Sequence, residues 1–167
     1  MPVDTHNLLQ KSLEFETLLA DVSARLLAAT PDDIEAVVQT AFERVRVFFE
    51  ADRCGLLSVN ADRTASFVRF AALADGLELP PSDANLVELF PWIAQKLFVE
   101  GEPAKLQNTD DLPPEAARDR ASFQLLSTRA NLTVPIFLPN GTLHPIVLHW
   151  VKSPPPDLSC TATNRRA

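Results

Sequence analysis

The 167-residue sequence predicts an α+β domain built on one central, mostly antiparallel sheet of five to six strands. Three observations predict it. Two apolar stripes at helical spacing open the chain, over 7–29 and 31–50. Short strand-like runs then come in pairs around polar turns, as antiparallel hairpins do. The clearest pair flanks Pro139-Asn140-Gly141-Thr142, whose Asn-Gly suits the positive φ angles of a type I′ turn. Such turns close ordinary hairpins, so this one is read as a connection and not as a binding element.

Each element has its own residue-level reason. From Asn7 to Ala29, Leu8, Phe15, Leu19, Val22 and Leu26 fall at spacings of four and three, with Ser12 in the gap. That stripe fits either a short coiled-coil seam with a second copy or a helix laid on its own domain. Thr30 can cap a second helix, Pro31 suits its first position, and Asp32 and Asp33 suit the positive end of its dipole. The helix should run to about Glu50. Its face of Ile34, Val38, Ala41, Val45 and Phe48, widened by Val37, Phe42 and Phe49, predicts packing flat on a sheet.

Arg53–Val59 and Ala65–Leu73 read as strands around a polar turn at Asn60–Thr64. Alternation sets Cys54, Leu56 and Ser58 against Arg53, Gly55, Leu57 and Val59. Neither face is polar throughout, which predicts a central strand covered on both sides. Residues 74–87 form a long irregular connection of the kind that serves as a functional lid. A helix over Leu89 or Phe90 to Val99 starts at Phe90-Pro91-Trp92, and Glu102–Gln107 reads as an edge strand interrupted by Pro103. Asp110-Asp111-Leu112-Pro113-Pro114-Glu115 looks like a capped helix start, with helical pieces over Pro114–Arg118 and Ala121–Thr128. Strands at Leu132–Leu138 and Leu143–Val151 close the domain, 1–151. Three consecutive prolines and a polar end predict a disordered tail over 152–167.

Composition narrows the function. Twenty-two acidic residues against fifteen basic give a net charge of −7, which repels nucleic-acid phosphate and anionic membrane surfaces, so neither direct nucleic-acid nor membrane binding is expected. No secretory signal is visible and no apolar run is long enough for a bilayer. The two cysteines, Cys54 and Cys160, form no disulfide framework and no Cys-x-x-Cys pair. A cytoplasmic setting is the expectation.

Candidate chemistry is sparse. His144 and His149 lie five apart on a strand and point to opposite faces, so they should not share a metal, and His6 falls in a floppy terminus. Cys54 lacks a neighbour that would activate it, and reads as a buried structural thiol. Helix capping accounts for Asp110, Asp111 and Glu115 without acid–base work. The four glycines form no phosphate-cradling loop. These readings predict no catalytic residue, no metal, no cofactor and no enzyme activity. A small-molecule pocket is the remaining candidate, walled by Phe90, Trp92, Phe98 and Phe123, with Arg69, Arg118 or Arg129 to meet an anion.

Asp52-Arg53-Cys54-Gly55-Leu56, Phe90-Pro91-Trp92, Asp110-Asp111-Leu112-Pro113-Pro114-Glu115-Ala116 and Val134-Pro135-Ile136, in that order and spacing, resemble a GAF domain. The resemblance runs over about Phe15–Val151 and is to the GAF domains of bacterial sensor histidine kinases and enhancer-binding transcriptional regulators. It implies a GAF-like (profilin-like) sheet with the N-terminal helices on one face and the connecting helices on the other, small ligands sitting beneath the latter. It also implies a sensory domain that binds a small molecule or a partner protein, passing a helix-packing change to a kinase or transcriptional regulator through a homodimer of helix 7–29. The Asn-Lys…Phe…Asp-Glu signature of cyclic-nucleotide binders and the Cys-His pair of bilin binders have no counterpart here. Relatives close with a long helix where this chain reads Lys152-Ser153-Pro154-Pro155-Pro156. The competing expectations are a ligand-free dimerisation module and, further off, an enzyme like the GAF-fold methionine sulfoxide reductases.

Overall fold

A computed structural model describes residues 5–158 of the chain. Two helices come first, α1 (Thr5–Ala28) and α2 (Ile34–Phe48), followed by the hairpin strands β1 (Arg53–Val59) and β2 (Ser66–Leu73). Next are the short helices α3 (Leu86–Leu89) and α4 (Pro91–Gln95), a π-helical turn at Lys96–Glu100, and β3 (Ala104–Leu106). Two 3₁₀ turns, Thr109–Asp111 and Pro114–Ala116, lead into α5 (Ala117–Leu125), and the hairpin of β4 (Ala130–Val134) and β5 (Ile146–Trp150) ends the described elements. The strands form one sheet in the order β2-β1-β5-β4-β3, every neighbouring pair antiparallel. β1 is thus interior, and it is covered on both faces.

One face packs on α2. Phe42, Val45 and Phe49 meet Cys54, Ala130, Leu132, Leu148 and Trp150 there, and the Trp150 indole donates to the Phe49 carbonyl at 3.3 Å. α1 lies outside α2, held by Phe15 against Phe48 and Phe49 at ring separations of 5.5 and 6.0 Å. Asp21 pairs with Arg44 across the two helices. The residue of α1 that is buried is Leu18, while Leu8, Leu19 and Leu26 of the expected stripe stay exposed. Phe15 and Val22 of the expected stripe do face the domain, with Leu18 buried beside them in place of Leu19. His6, expected in a floppy terminus, lies in the first turn of α1.

The other face carries α3, α4, the π turn and α5. The helix expected to begin at Leu89 or Phe90 is split there, since Pro91 drives Phe90 out of helical geometry (φ −131°, ψ 60°). Asn85 caps α3, its side-chain oxygen accepting from Val87 N, and the same oxygen accepts from Ser66 N, which stitches the helix to β2. Asp119 does the same for α4. Its two carboxylate oxygens accept from Trp92 N and Ile93 N at 3.0 and 2.9 Å. Neither Asp110 nor Asp111 caps the helical turn at Pro114–Ala116, whose N-cap is Pro113 with no side-chain bond, while Asn108 caps the turn that holds the two acids.

Strand ends also differ from the expectation. β4 stops at Val134 and β5 begins at Ile146 because Pro135 and Pro145 have no N–H for the ladder. Only a single bridge, Phe137 to Leu143, continues the hairpin. Its turn is not type I′. Gly141 N bonds to Leu138 O and Leu138 N to Thr142 O, with Gly141 alone at positive φ (83°). This is a type I turn closed by a left-handed glycine, the geometry that Pro139 at the first central position favours.

The tail also departs from its expected form. Asp52 accepts from the amides of Val151, Lys152 and Ser153 at 2.7–2.9 Å. Leu158 is buried against Trp150 and Cys54, and its amide donates to Gln107. Residues 152–158 are therefore packed on the domain, extended where relatives were expected to carry a helix. Cys160 and the rest of the expected tail lie outside the described residues.

Candidate functional site

Between the sheet and α3–α5 lies an apolar cavity with about 80 Å³ open to the centre of a water-sized sphere. Its floor follows from strand register. Arg53 of β1 stands opposite His149 of β5, and His149 opposite Asn131 of β4, so three polar side chains form one cross-strand row. The next row on the same face is Gly55, Val147 and Thr133, then Leu57 with Val68. Gly55 is required here, because a Cβ would come within 2.9 Å of the Phe70 carbonyl oxygen. Its bareness also keeps the floor open. The walls are Leu86, Val87, Phe90, Ile93, Ala94, Leu97 and Phe98 from the short helices, Phe123 and Leu126 at α5, and Leu79 and Pro80 from the irregular loop.

Arg53 is the charged group of the cavity. It is 8% exposed, and it donates from Nε to Glu78 O (3.2 Å), from Nη1 to Thr128 Oγ1 (3.2 Å) and from Nη2 to Leu126 O (3.0 Å). It thereby ties the loop and the end of α5 to the sheet. No carboxylate among the described residues lies within 4 Å of it. Burial lowers its pKa, against the pull of Asp52. Burial, and secondarily the Arg53 charge, push His149 down to about 3, so its imidazole is neutral at pH 7. The ring packs edge-on to Phe123 at 5.8 Å, and Phe123 on Phe90 at 4.7 Å. No hydrogen-bond partner among the described residues meets the His149 ring. At the opposite end of β1 the buried Ser66 hydroxyl also has no partner. Asn131 and Thr133 satisfy each other, and Asn131 also donates to Ala104 O.

Of the six residues expected to form a pocket, the structure brings Phe90, Phe98 and Phe123 together in the lining. It leaves out Trp92, Arg69 and Arg118. Trp92 is partly buried against the same apolar cluster but does not reach the cavity lining, and the Lys96 ammonium lies 5.1 Å from its ring. Arg69 is the extra residue of a β-bulge, where Leu56 pairs with Phe70 and Leu57 with Val68. It points to the α2 side and faces Glu35 at 3.7 Å. Arg118 sits on the outer side of α5, whose inward residues are Asp119, Ser122 and Phe123. Arg129 is exposed as well. The cation that does reach the cavity, Arg53, had a signal in the sequence: a lone arginine in an apolar strand, alternating with Cys54.

Other candidate chemistry falls elsewhere. The Cys54 thiol is buried on the α2 face, and burial pushes its pKa up to about 12, so it carries no thiolate at neutral pH. His144 Nδ1 lies 3.2 Å from Leu57 O. Among the described residues no cluster of three or more histidine, cysteine or acidic side chains could hold a metal ion. No described helix is long and apolar enough to cross a membrane. Burial raises the Asp119 carboxyl above its usual range despite the two amides it accepts, in keeping with a structural clasp beneath α4.

No family model and no curated protein matches the sequence. Solved structures do. The chain is similar to the phycocyanobilin-bound GAF domain of a cyanobacterial phytochrome, with a TM-score of 0.67 at 15% identity over 86% of this chain and 84% of that one. The phycoerythrobilin-bound GAF domain of a cyanobacterial phytochrome gives 0.66 at 15% identity, covering 89% and 87%. An NreA protein of Staphylococcus aureus, mutated in its nitrate-binding site, gives 0.58 at 14% identity, covering 79% and 96%. The architecture, with its five-stranded antiparallel sheet between the N-terminal helices and the connecting helices, is that of a GAF domain.

Proposed function

We propose that this chain is a sensory or regulatory GAF-type domain that binds a small molecule in the cavity between sheet and connecting helices. The observation that carries the reading is the cavity itself: apolar walls over a cross-strand row of polar groups, of which Arg53 and His149 have hydrogen-bonding capacity to spare. The ligands named for the similar structures, bilins and nitrate, support small-molecule binding as the mode of action. Arg53 links the mode to a response. Because it holds the 74–85 loop and the end of α5 together, a ligand that engages it favours one arrangement of those segments over another. The change would travel through the sheet to α2 and α1, and from a pair of α1 helices to a signalling kinase or transcriptional regulator in a bacterial cytoplasm. The chemistry proposed is binding without turnover.

The test is native mass spectrometry of the intact chain purified from its own cells, with a thermal-shift screen beside it. The expected result is a bound small molecule, lost in an Ala94→Phe variant that fills the cavity. A second reading, a ligand-free dimerisation module, is favoured by the exposed Leu8, Leu9, Leu13 and Leu27 of α1. It prevails if no compound is carried or raises the melting temperature while the protein is dimeric.

A further inference from the structure

The polar end of the cavity says what class of ligand it suits. A buried guanidinium is unfavourable unless its donors are engaged and its charge is met. Three of the five N–H donors of Arg53 go to neutral oxygens, which leaves two. Its neighbour Asp52 cannot serve, since one carboxylate oxygen takes the amides of Val151, Lys152 and Ser153 and the other takes the Ser153 hydroxyl. His149 stands beside Arg53 in the row, uncharged and with no partner for its ring. A neutral imidazole donates one hydrogen bond to an anion and adds no second positive charge. Asp52 acts on Arg53 only at a distance, so the end as a whole holds one positive charge with no carboxylate in contact and a small set of donors. That matches a monoanion, and a dianion would bring more acceptors than the row can meet.

Beyond the row, the floor from Arg53 to Leu57 runs about 13 Å along β1 and is bare or aliphatic at Gly55, Val147 and Leu57. The wall opposite is aromatic and aliphatic. With about 80 Å³ to fill, the body of the ligand must be slim and apolar.

We infer that the cavity takes a small monocarboxylate with a slim apolar body, its carboxylate at Arg53 and His149 and its body lying over Gly55 and Val147 beneath Phe90 and Phe123. The inference rests on the small-molecule reading above and adds the chemical class of the ligand. A purely structural Arg53, stapling the loop to α5, would give no preference for an acid over its amide.

Isothermal titration of the full chain with hexanoate, hexanamide and inorganic nitrate separates these cases. Hexanoate should bind at least tenfold more tightly than hexanamide, and more tightly than nitrate, which has charge without a body. Arg53→Met should bring hexanoate and hexanamide to equal affinity. Should that variant not fold, the comparison of acid with amide on the unaltered protein decides alone. Equal binding of hexanoate and hexanamide there overturns the carboxylate class and leaves the small-molecule reading standing. Tighter binding of nitrate than of hexanoate overturns the apolar body. Failure of all three probes overturns this inference, whereas the reading it rests on falls only on the mass-spectrometric and thermal-shift result.

Discussion

His149 gives stability a pH dependence whose sign can be worked out. Its folded pKa, about 3, lies below the ordinary 6.5. Between those values the unfolded chain binds a proton that the folded chain refuses, so stability is full above pH 6.5 and falls as the pH drops toward 3. The slope from this one group is at most ~1.4 kcal/mol per pH unit. Asp119, with a raised pKa, works in the opposite sense, and Asp52, with a lowered one, is lost only as pH falls through the carboxylate range. The difference between wild type and His149→Phe therefore isolates the imidazole. Denaturant unfolding at pH 7 and pH 5 should show the wild type losing more stability than the variant; equal losses would mean that the ring is solvated. Why this histidine and Arg53 were not picked out from the sequence is also local. Alternation puts Arg53 on the face away from Cys54, as the structure does, but its acceptors lie 25, 73 and 75 residues away. No periodic pattern encodes such distances, so the exposed Arg69 and Arg118 looked equally able to meet an anion.

Among the elements, those with strong period or fixed punctuation were readable. The bounds of β1 are those expected and α1 and β2 fall within a residue or two of theirs, while α2 starts at Ile34 with Asp33 at its N-cap, three residues after the expected start at Pro31. The misreadings cluster where proline decides: Pro91 splits a helix, Pro135 and Pro145 shorten a hairpin, and Pro154–Pro156 suggested disorder where tertiary contacts override composition. What holds that last segment is the clamp at Asp52, which is 4% exposed and which the sequence marks only as the first residue of a short motif, with no sign of the segment it binds. Its carboxyl stays below its usual range, burial being outweighed by the hydrogen bonds from Ser153, Val151 and Lys152. An Asp52→Asn variant presents an amide to at least one of these donors and lacks the charge. Bonds to a charged acceptor contribute about 1.5–3 kcal/mol, so the variant should lose roughly 2 kcal/mol in urea unfolding. Trypsin should also cut after Lys152 much faster than in the wild type. An unchanged cleavage rate would show that Leu158 and Gln107 anchor the segment without the clamp.

The two faces of the sheet are unequally finished. The helices on the cavity face pack into one apolar cluster, but the outer helix on the other face is largely uncovered: Leu8, Leu9 and Leu13 are 56%, 61% and 63% exposed, and Leu27 is 88% exposed. Of its apolar residues, Phe15, Leu18 and Val22 turn toward α2, beside the Asp21–Arg44 pair. An apolar helical strip of this length is costly in water unless a second copy covers it. If the strip is the dimer seam through which a ligand-dependent shift leaves the domain, a charge placed on it should separate the copies and leave each fold intact. Leu13→Glu is the suitable change, because Leu13 buries little within its own chain and so contributes little to folding. Sedimentation velocity should then find the wild type as a dimer and the variant as a monomer, with circular dichroism alike at 20 °C. Binding of hexanoate should persist in the monomer, since no cavity residue comes from α1. A variant that sediments as the wild type does would remove α1 as the interface and, with it, the route proposed for the signal.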